Sequence, residues 1–135
     1  MADRANPRDA LAAIPLFAHL SSRQLRRIAS STNEDAYEAG DVIINEGGRS
    51  QSMFVIVEGT ASVVRDGQTL AQIIPGQFFG ELSMIDERPR AASVVADTPM
   101  RCLVLKHEVL RDIVMSDPQV AWSLLKTLAS RLRDD

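Results

Sequence analysis

Glu81 and Arg90 stand nine positions apart in the run Phe79-Gly80-Glu81-Leu82-Ser83-Met84-Ile85-Asp86-Glu87-Arg88-Pro89-Arg90-Ala91-Ala92-Ser93. A carboxylate accepts hydrogen bonds from hydroxyls, and a guanidinium donates to anions. The pair therefore suits a ligand that carries both a hydroxyl and an anionic group, as a nucleotide does. Gly80 precedes the acid, while Ala91, Ala92 and Ser93 follow the arginine. Such small residues let a ligand approach the backbone closely.

These residues need a frame, and the flanking patterns supply one. Before residue 36 the chain reads as helical. Leu11, Ile14, Leu16, Phe17 and Leu20 give apolar surface, broken at Pro15. Ser21 and Gln24 have capping-box spacing, and Leu25, Ile28 and Ala29 mark the inner face of the helix they start. From Ala36, short apolar runs alternate with turn residues, the pattern of an all-β unit. The expected strands are Val42–Ile44, Met53–Val57, Ala61–Val64, Leu70–Ile74, Ser93–Ala96 and Met100–Lys106, with Asp66-Gly67 as a two-residue hairpin turn. So many short antiparallel strands must close on themselves or pack face to face.

Helix returns at His107–Met115. Asp117-Pro118 then reads as an N-cap followed by proline at the first helical position. Val120, Ala121, Leu124, Leu125, Leu128 and Leu132 recur at helical spacing over a helix roughly 24 Å long at about 1.5 Å per residue.

The chain's 135 residues suffice for one domain with one core. Fifteen basic and eighteen acidic residues leave a net charge of −3, which argues against a nucleic-acid surface. No apolar run is long enough for a membrane span or a signal-peptide core. Cys102 is the single cysteine, so no internal disulfide is available and the cytoplasm is the expected location. Cys102 itself reads as a small buried apolar group, and Met53, Met84, Met100 and Met115 as core fillers. His19 and His107 form no metal-ligand motif.

With these residues in view, the chain resembles the cyclic nucleotide-binding domain family, the sensor modules of catabolite activators, protein kinase A and cyclic-nucleotide-gated channels. The resemblance runs through Pro15-Leu16-Phe17, Leu20-Ser21, Leu25, Tyr37, Gly40-Asp41, Ile43, Glu46-Gly47, Met53-Phe54-Val55-Ile56 and Gly59. It is strongest in the phosphate-binding cassette, residues 78–93. Ser83 departs from the alanine that many members carry. The resemblance implies a mainly β fold: an antiparallel β-roll, or double-stranded β-helix of jelly-roll type, with N-terminal helices and two C-terminal helices. It divides one domain, 1–135, into N-terminal helices at 1–35, a roll at 36–106, and hinge and lid helices at 107–133.

The resemblance also implies roles. Glu81 would accept from the ribose 2′-hydroxyl, and Arg90 would pair with the cyclic phosphate. Backbone N–H groups of Gly80, Leu82, Ala91 and Ala92 would help hold that phosphate, with Ser83 in the same segment. Val63 and Leu82 would wall the base. Ala91 lacks the hydroxyl that holds guanine in cGMP-selective relatives, so cAMP is favoured over cGMP. Arg88 is expected in solvent, and Asp86 and Glu87 at an exposed loop tip.

Trp122 lies off the Leu124/Leu128 stripe and suits a core or interface position at least as well as a lid over the base. The competing structural reading pairs Glu81 with Arg90 across a turn. Three functions follow for comparison. One is a non-enzymatic sensor whose terminal helices, hinged at Met115 to Pro118, repack over the ligand. The second is a protein–protein interaction or dimerisation module whose pocket takes no cyclic nucleotide, its Leu124/Leu128/Leu132 stripe either pairing with another copy or covering the chain's own β-roll. The third, a phosphodiesterase, would need a metal cluster or a paired base and nucleophile that two isolated histidines do not supply. No output domain is visible after Arg133, so the chain reads as a stand-alone sensor or the sensor of a longer protein with an unknown partner.

Overall fold

The computed structural model describes residues 7–14, 17–80 and 86–134. Helices α1 (Pro7–Ala12) and α2 (Ser22–Ala29) come first. Eight strands follow: β1 (Asn33–Tyr37), β2 (Val42–Ile44), β3 (Met53–Glu58), β4 (Ala61–Arg65), β5 (Gln68–Ile73), β6 (Phe78–Phe79), β7 (Ser93–Ala96) and β8 (Met100–Leu105). Helices α3 (His107–Ser116) and α4 (Pro118–Asp134) close the chain. The strands form two antiparallel four-stranded sheets, ordered β1-β8-β3-β6 and β2-β7-β4-β5. This is the expected β-roll with helices at both ends.

Two central strands of the first sheet are buried on both faces, which is why they read as continuous apolar runs. Successive side chains in a strand point to opposite faces. Met53 and Val55 of β3, with Leu103 and Leu105 of β8, face the helices and pack with Leu11, Phe17, Ile28, Leu110 and Val120. Phe54 and Ile56, with Cys102 and Val104, face the roll interior and pack with Ile44, Ala61, Phe79 and Val94. Phe54 and Phe79 stack with ring centroids 5.0 Å apart and planes 8° from parallel. The first sheet is thus a shared wall between two cores.

The start of α2 is fixed locally. Ser21 Oγ accepts from the Gln24 N–H at 3.2 Å, and Gln24 Oε1 accepts from the Ser21 N–H at 2.9 Å, the reciprocal capping box. The hairpin turn at Asp66-Gly67 also forms, with φ of 52° and 77°.

Other expectations change. β1 was not among the expected strands and begins ahead of the boundary expected at 36; its residues Asn33-Glu34-Asp35-Ala36 are exposed on a sheet edge and carry no apolar signal. β6 has only two residues, too few for a periodic pattern. Met53 and Met100 are buried, but Met115 is 75% exposed and fills no core. Met84 lies outside the described residues. The apolar stripe of α4 divides: Val120 and Leu124 are buried against the domain, whereas Leu125, Leu132 and the off-stripe Trp122 are exposed. Trp122 is therefore no core residue.

Candidate functional site

The stretch between β6 and β7 carries the expected site, and Gly80 is where it leaves the sheet. Gly80 has φ +88°, a backbone conformation that suits glycine. A side chain there would also collide, because a Cβ would lie 2.8 Å from both Arg90 Nη1 and Ser52 O. The small residue is required so that the guanidinium can lie against the backbone.

Arg90 is the one buried charged or polar residue among those described, with 5% of its surface exposed. Such burial requires hydrogen-bond partners, since an unpaired buried charge is costly. Nη1 donates to Gly80 O at 2.9 Å, Nη2 to Ser52 O at 2.6 Å, and Nε to Ser50 Oγ at 3.3 Å. The side chain is thereby aimed and its fork held in place.

The backbone of Arg90 is fixed just as firmly. The Gly47 N–H donates to Arg90 O and the Arg90 N–H donates to Gly48 O, both at 2.8 Å. Nearby, the Glu46 N–H donates to Ser93 Oγ at 2.8 Å, and Glu46 Oε1 accepts from the Asp66 N–H at 3.2 Å. One loop, from Glu46 to Ser52, thus holds Arg90 by main chain and side chain. Sequence reading takes Glu46-Gly47 as part of the family resemblance and overlooks Gly48, Ser50 and Ser52 as partners of Arg90. Gly47 has φ +77° and a Cβ at Gly48 would lie 2.8 Å from Asn45 O, so both glycines serve the turn of the loop itself.

The remaining expected residues fall as follows. Ala91 is exposed and Ala92 half-buried at the approach to β7. Val63 of β4 is half-buried, is paired in register with Val94 of β7 and packs against the roll interior. The structure brings Gly80 and Arg90 together. Glu81, Leu82 and Ser83 lie outside the described residues, and so does any pairing of Glu81 with Arg90. Asp86, Glu87 and Arg88 are exposed, as expected. Glu87 nonetheless has a partner across the fold: its Oε1 lies 3.8 Å from His107 Nε2 at the start of α3. Beside this contact a groove of about 400 Å³ runs between α3 and α4, lined by Leu110, Val114, Ala121 and Leu124.

Cys102 of β8 and Tyr37 of β1 have shifted titration. Burial pushes the Cys102 thiol up to about 12, with the Asp35 charge adding to the effect. Burial, followed by Asp35, also pushes the Tyr37 hydroxyl up to about 12. Cys102 is fully buried, in line with its reading as a small apolar group. Among the described residues no group of three or more His, Cys, Asp or Glu side chains could hold a metal ion. No helix among them is long and apolar enough to cross a membrane.

Known proteins share this fold. Residues 34–117 match the family described as Cyclic nucleotide-binding domain. The N-terminal domain of a transcriptional regulator from Streptomyces coelicolor superposes with a TM-score of 0.86 at 35% identity, over 93% of this chain and 92% of that one. The Cyclic AMP receptor protein of Thermus thermophilus is 34% identical over 125 residues, 89% of this chain and 58% of that protein. Glutaminase 2 of Bradyrhizobium diazoefficiens is 35% identical over 118 residues, 87% of this chain but only 19% of that enzyme. The chain thus spans between about a fifth and three fifths of the length of these two curated relatives. What they share with it is one module, a non-catalytic one, set among different larger proteins. A matched segment that runs from β1 to the α3–α4 joint, together with the superposed roll, places this chain in the cyclic nucleotide-binding domain family.

Proposed function

We propose that the domain is a cytoplasmic regulatory sensor that binds cAMP in preference to cGMP and relays occupancy through its C-terminal helices. The observation that carries this reading is Arg90: a buried guanidinium, held by two carbonyls and a hydroxyl next to a glycine of positive φ. A cyclic phosphate offers that fork two anionic oxygens, and charge-assisted bonds of this kind are the stronger ones. Glu81 takes the ribose 2′-hydroxyl. Gly80, Leu82, Ser83, Ala91 and Ala92 supply backbone around the phosphate, and Val63 and Leu82 form the apolar walls of the base site. Ala91 offers guanine no hydroxyl. The name of the Thermus thermophilus relative supports cAMP as the ligand.

The relay requires that the ligand bind one setting of the helices better than another. No catalytic step is assigned; the overlap with the glutaminase covers a fifth of that enzyme and carries none of its chemistry here.

Calorimetric titration with cAMP and cGMP tests the reading. We expect micromolar or tighter binding of cAMP and weaker binding of cGMP. Absence of heat with both nucleotides would sink it.

A second reading, a dimerisation module, is favoured by one observation. Trp122, Leu125 and Leu132 of α4 are 63%, 56% and 78% exposed. With Ala129 they recur at alternating spacings of four and three residues, the seam along which two helices pack. The two readings are compatible in one protein.

A further inference from the structure

Asp117 stands between α3 and α4, and its polar groups serve three helices. Its N–H donates to Ile113 O at 2.9 Å, which closes α3. Its Oδ1 accepts from the Gln119 N–H at 3.2 Å and its carbonyl accepts from the Val120 N–H at 3.0 Å, which opens α4. Its Oδ2 accepts from Gln24 Nε2 of α2 at 3.2 Å, across 93 residues of sequence. One residue along, Arg27 Nη2 donates to Ser116 Oγ at 2.8 Å, and Ser116 Oγ donates to Ile113 O at 3.1 Å.

We propose that Gln24 and Arg27 form a two-point clamp that fastens the α3–α4 joint to α2, so that the N-terminal helix sets the position of α4. Gln24 suits this task because its other end is already fixed: Oε1 closes the capping box with Ser21, which leaves Nε2 aimed at Asp117 with little freedom to lose. Arg27 lies one turn further along the same face of α2. The clamp residues line a polar groove of about 940 Å³ together with Arg23, Arg26 and Gln119. It involves none of the residues assigned to the ligand. That the clamp influences affinity rests on the sensor reading above; that it positions α4 does not.

Reversing the polarity of the Gln24–Asp117 contact tests the clamp on the full chain. Gln24→Glu keeps the capping box, for which glutamate is equally suited, yet sets a carboxylate against the Asp117 carboxylate. Adding Asp117→Asn restores a donor opposite that glutamate and keeps a good N-cap for α4. The readouts are amide exchange at Val120, Ala121 and Trp122 and the fluorescence of Trp122, the chain's single tryptophan.

In Gln24→Glu we expect exchange in the first turn of α4 to rise about three- to tenfold, the worth of one hydrogen bond, with Ile56 and Leu103 unchanged. The double variant should return both readouts to those of the parent. Arg27→Met, which leaves the capping box alone, should act in the same direction. Unchanged α4 exchange in Gln24→Glu and Arg27→Met, an equal rise throughout the roll, or failure of the double variant to recover would each overturn the clamp. cAMP affinity should shift by a similar factor in Gln24→Glu and recover in the double variant. A parent that does not bind cAMP would sink the sensor reading, while the exchange data would still decide the clamp.

Discussion

Arg90 lies so close to Gly80 that its guanidinium fills the space a side chain at Gly80 would need. Nη1 of Arg90 donates to Gly80 O at 2.9 Å, and the space where a Gly80 side chain would stand is already taken by that same nitrogen. The glycine is part of the arginine's binding site. Gly80→Ala should therefore strain the backbone by about 1–3 kcal/mol and displace the guanidinium. Thermal unfolding should show the loss of stability, and titration should show weakened nucleotide binding. A variant as stable and as tight-binding as the parent would contradict the geometry.

Arg90 holds protein as well as, on the proposed function, phosphate. Arg90→Ala should cost on the order of 2–5 kcal/mol of cAMP binding. It should also lower stability, because Ser52 O and Gly80 O lose their donor in a half-buried setting. Arg90→Lys keeps the charge and loses the fork, so it should restore only part of the affinity. If Arg90→Ala folds and binds as the parent does, the phosphate assignment is wrong.

The sugar assignment has its own check. Glu81→Ala should weaken cAMP binding less than Arg90→Ala does. The 2′-deoxy ligand should bind the parent less well than cAMP but lose little further in Glu81→Ala, since one interaction cannot be removed twice. Additive losses would show that Glu81 acts elsewhere.

Alkaline pH should destabilise the fold. Burial raises Cys102 from its ordinary 9.0 and Tyr37 from 10.0, both to about 12. Between these limits the unfolded chain gives up protons that the folded chain keeps, so stability falls as pH rises. It is fully present below about 9 and declines towards 12. Melting temperatures from pH 8 to 11 should fall more steeply for the parent than for Cys102→Ala. The same burial should leave the native thiol unreactive towards a thiol reagent at pH 8.

The two sides of α4 should respond differently. Leu124→Ala removes a buried side chain and should cost about 2–5 kcal/mol of stability. Leu125→Lys with Leu132→Lys changes exposed positions and should leave the melting temperature nearly unchanged. If the exposed seam joins two copies, mass in solution should drop from dimer to monomer in that double variant. A parent that is monomeric at high concentration would reject the seam.

Much of the fold was written in local patterns. The capping box at Ser21 and Gln24, the Asp66-Gly67 turn and the strand Ser93–Ala96 each depend on neighbours a few residues away, and each formed as expected. The central strands were legible because burial on both faces leaves a run of apolar residues in β3 and β8. β1 was missed because an exposed edge strand needs only its backbone pairing to β8, and polar side chains do not report that. For α4, helical spacing places apolar residues around the cylinder but does not say which of them meets the roll. Val120 and Leu124 do; Leu125 and Leu132 do not.

The site divides in the same way. Residue types and spacing alone singled out Glu81 and Arg90, with Gly80 beside them, as a pair suited to a ligand bearing a hydroxyl and an anion. The chemistry of a carboxylate and a guanidinium is a property of the side chains themselves. What holds Arg90 was decided only in three dimensions. Gly47, Gly48, Ser50 and Ser52 lie about forty residues away in sequence, and four of the five bonds that join them and Gly80 to Arg90 use main-chain groups. Every residue but proline carries the same amide donor, and every residue the same carbonyl acceptor, so the sequence cannot mark which ones will meet an arginine. Folding the roll chooses them.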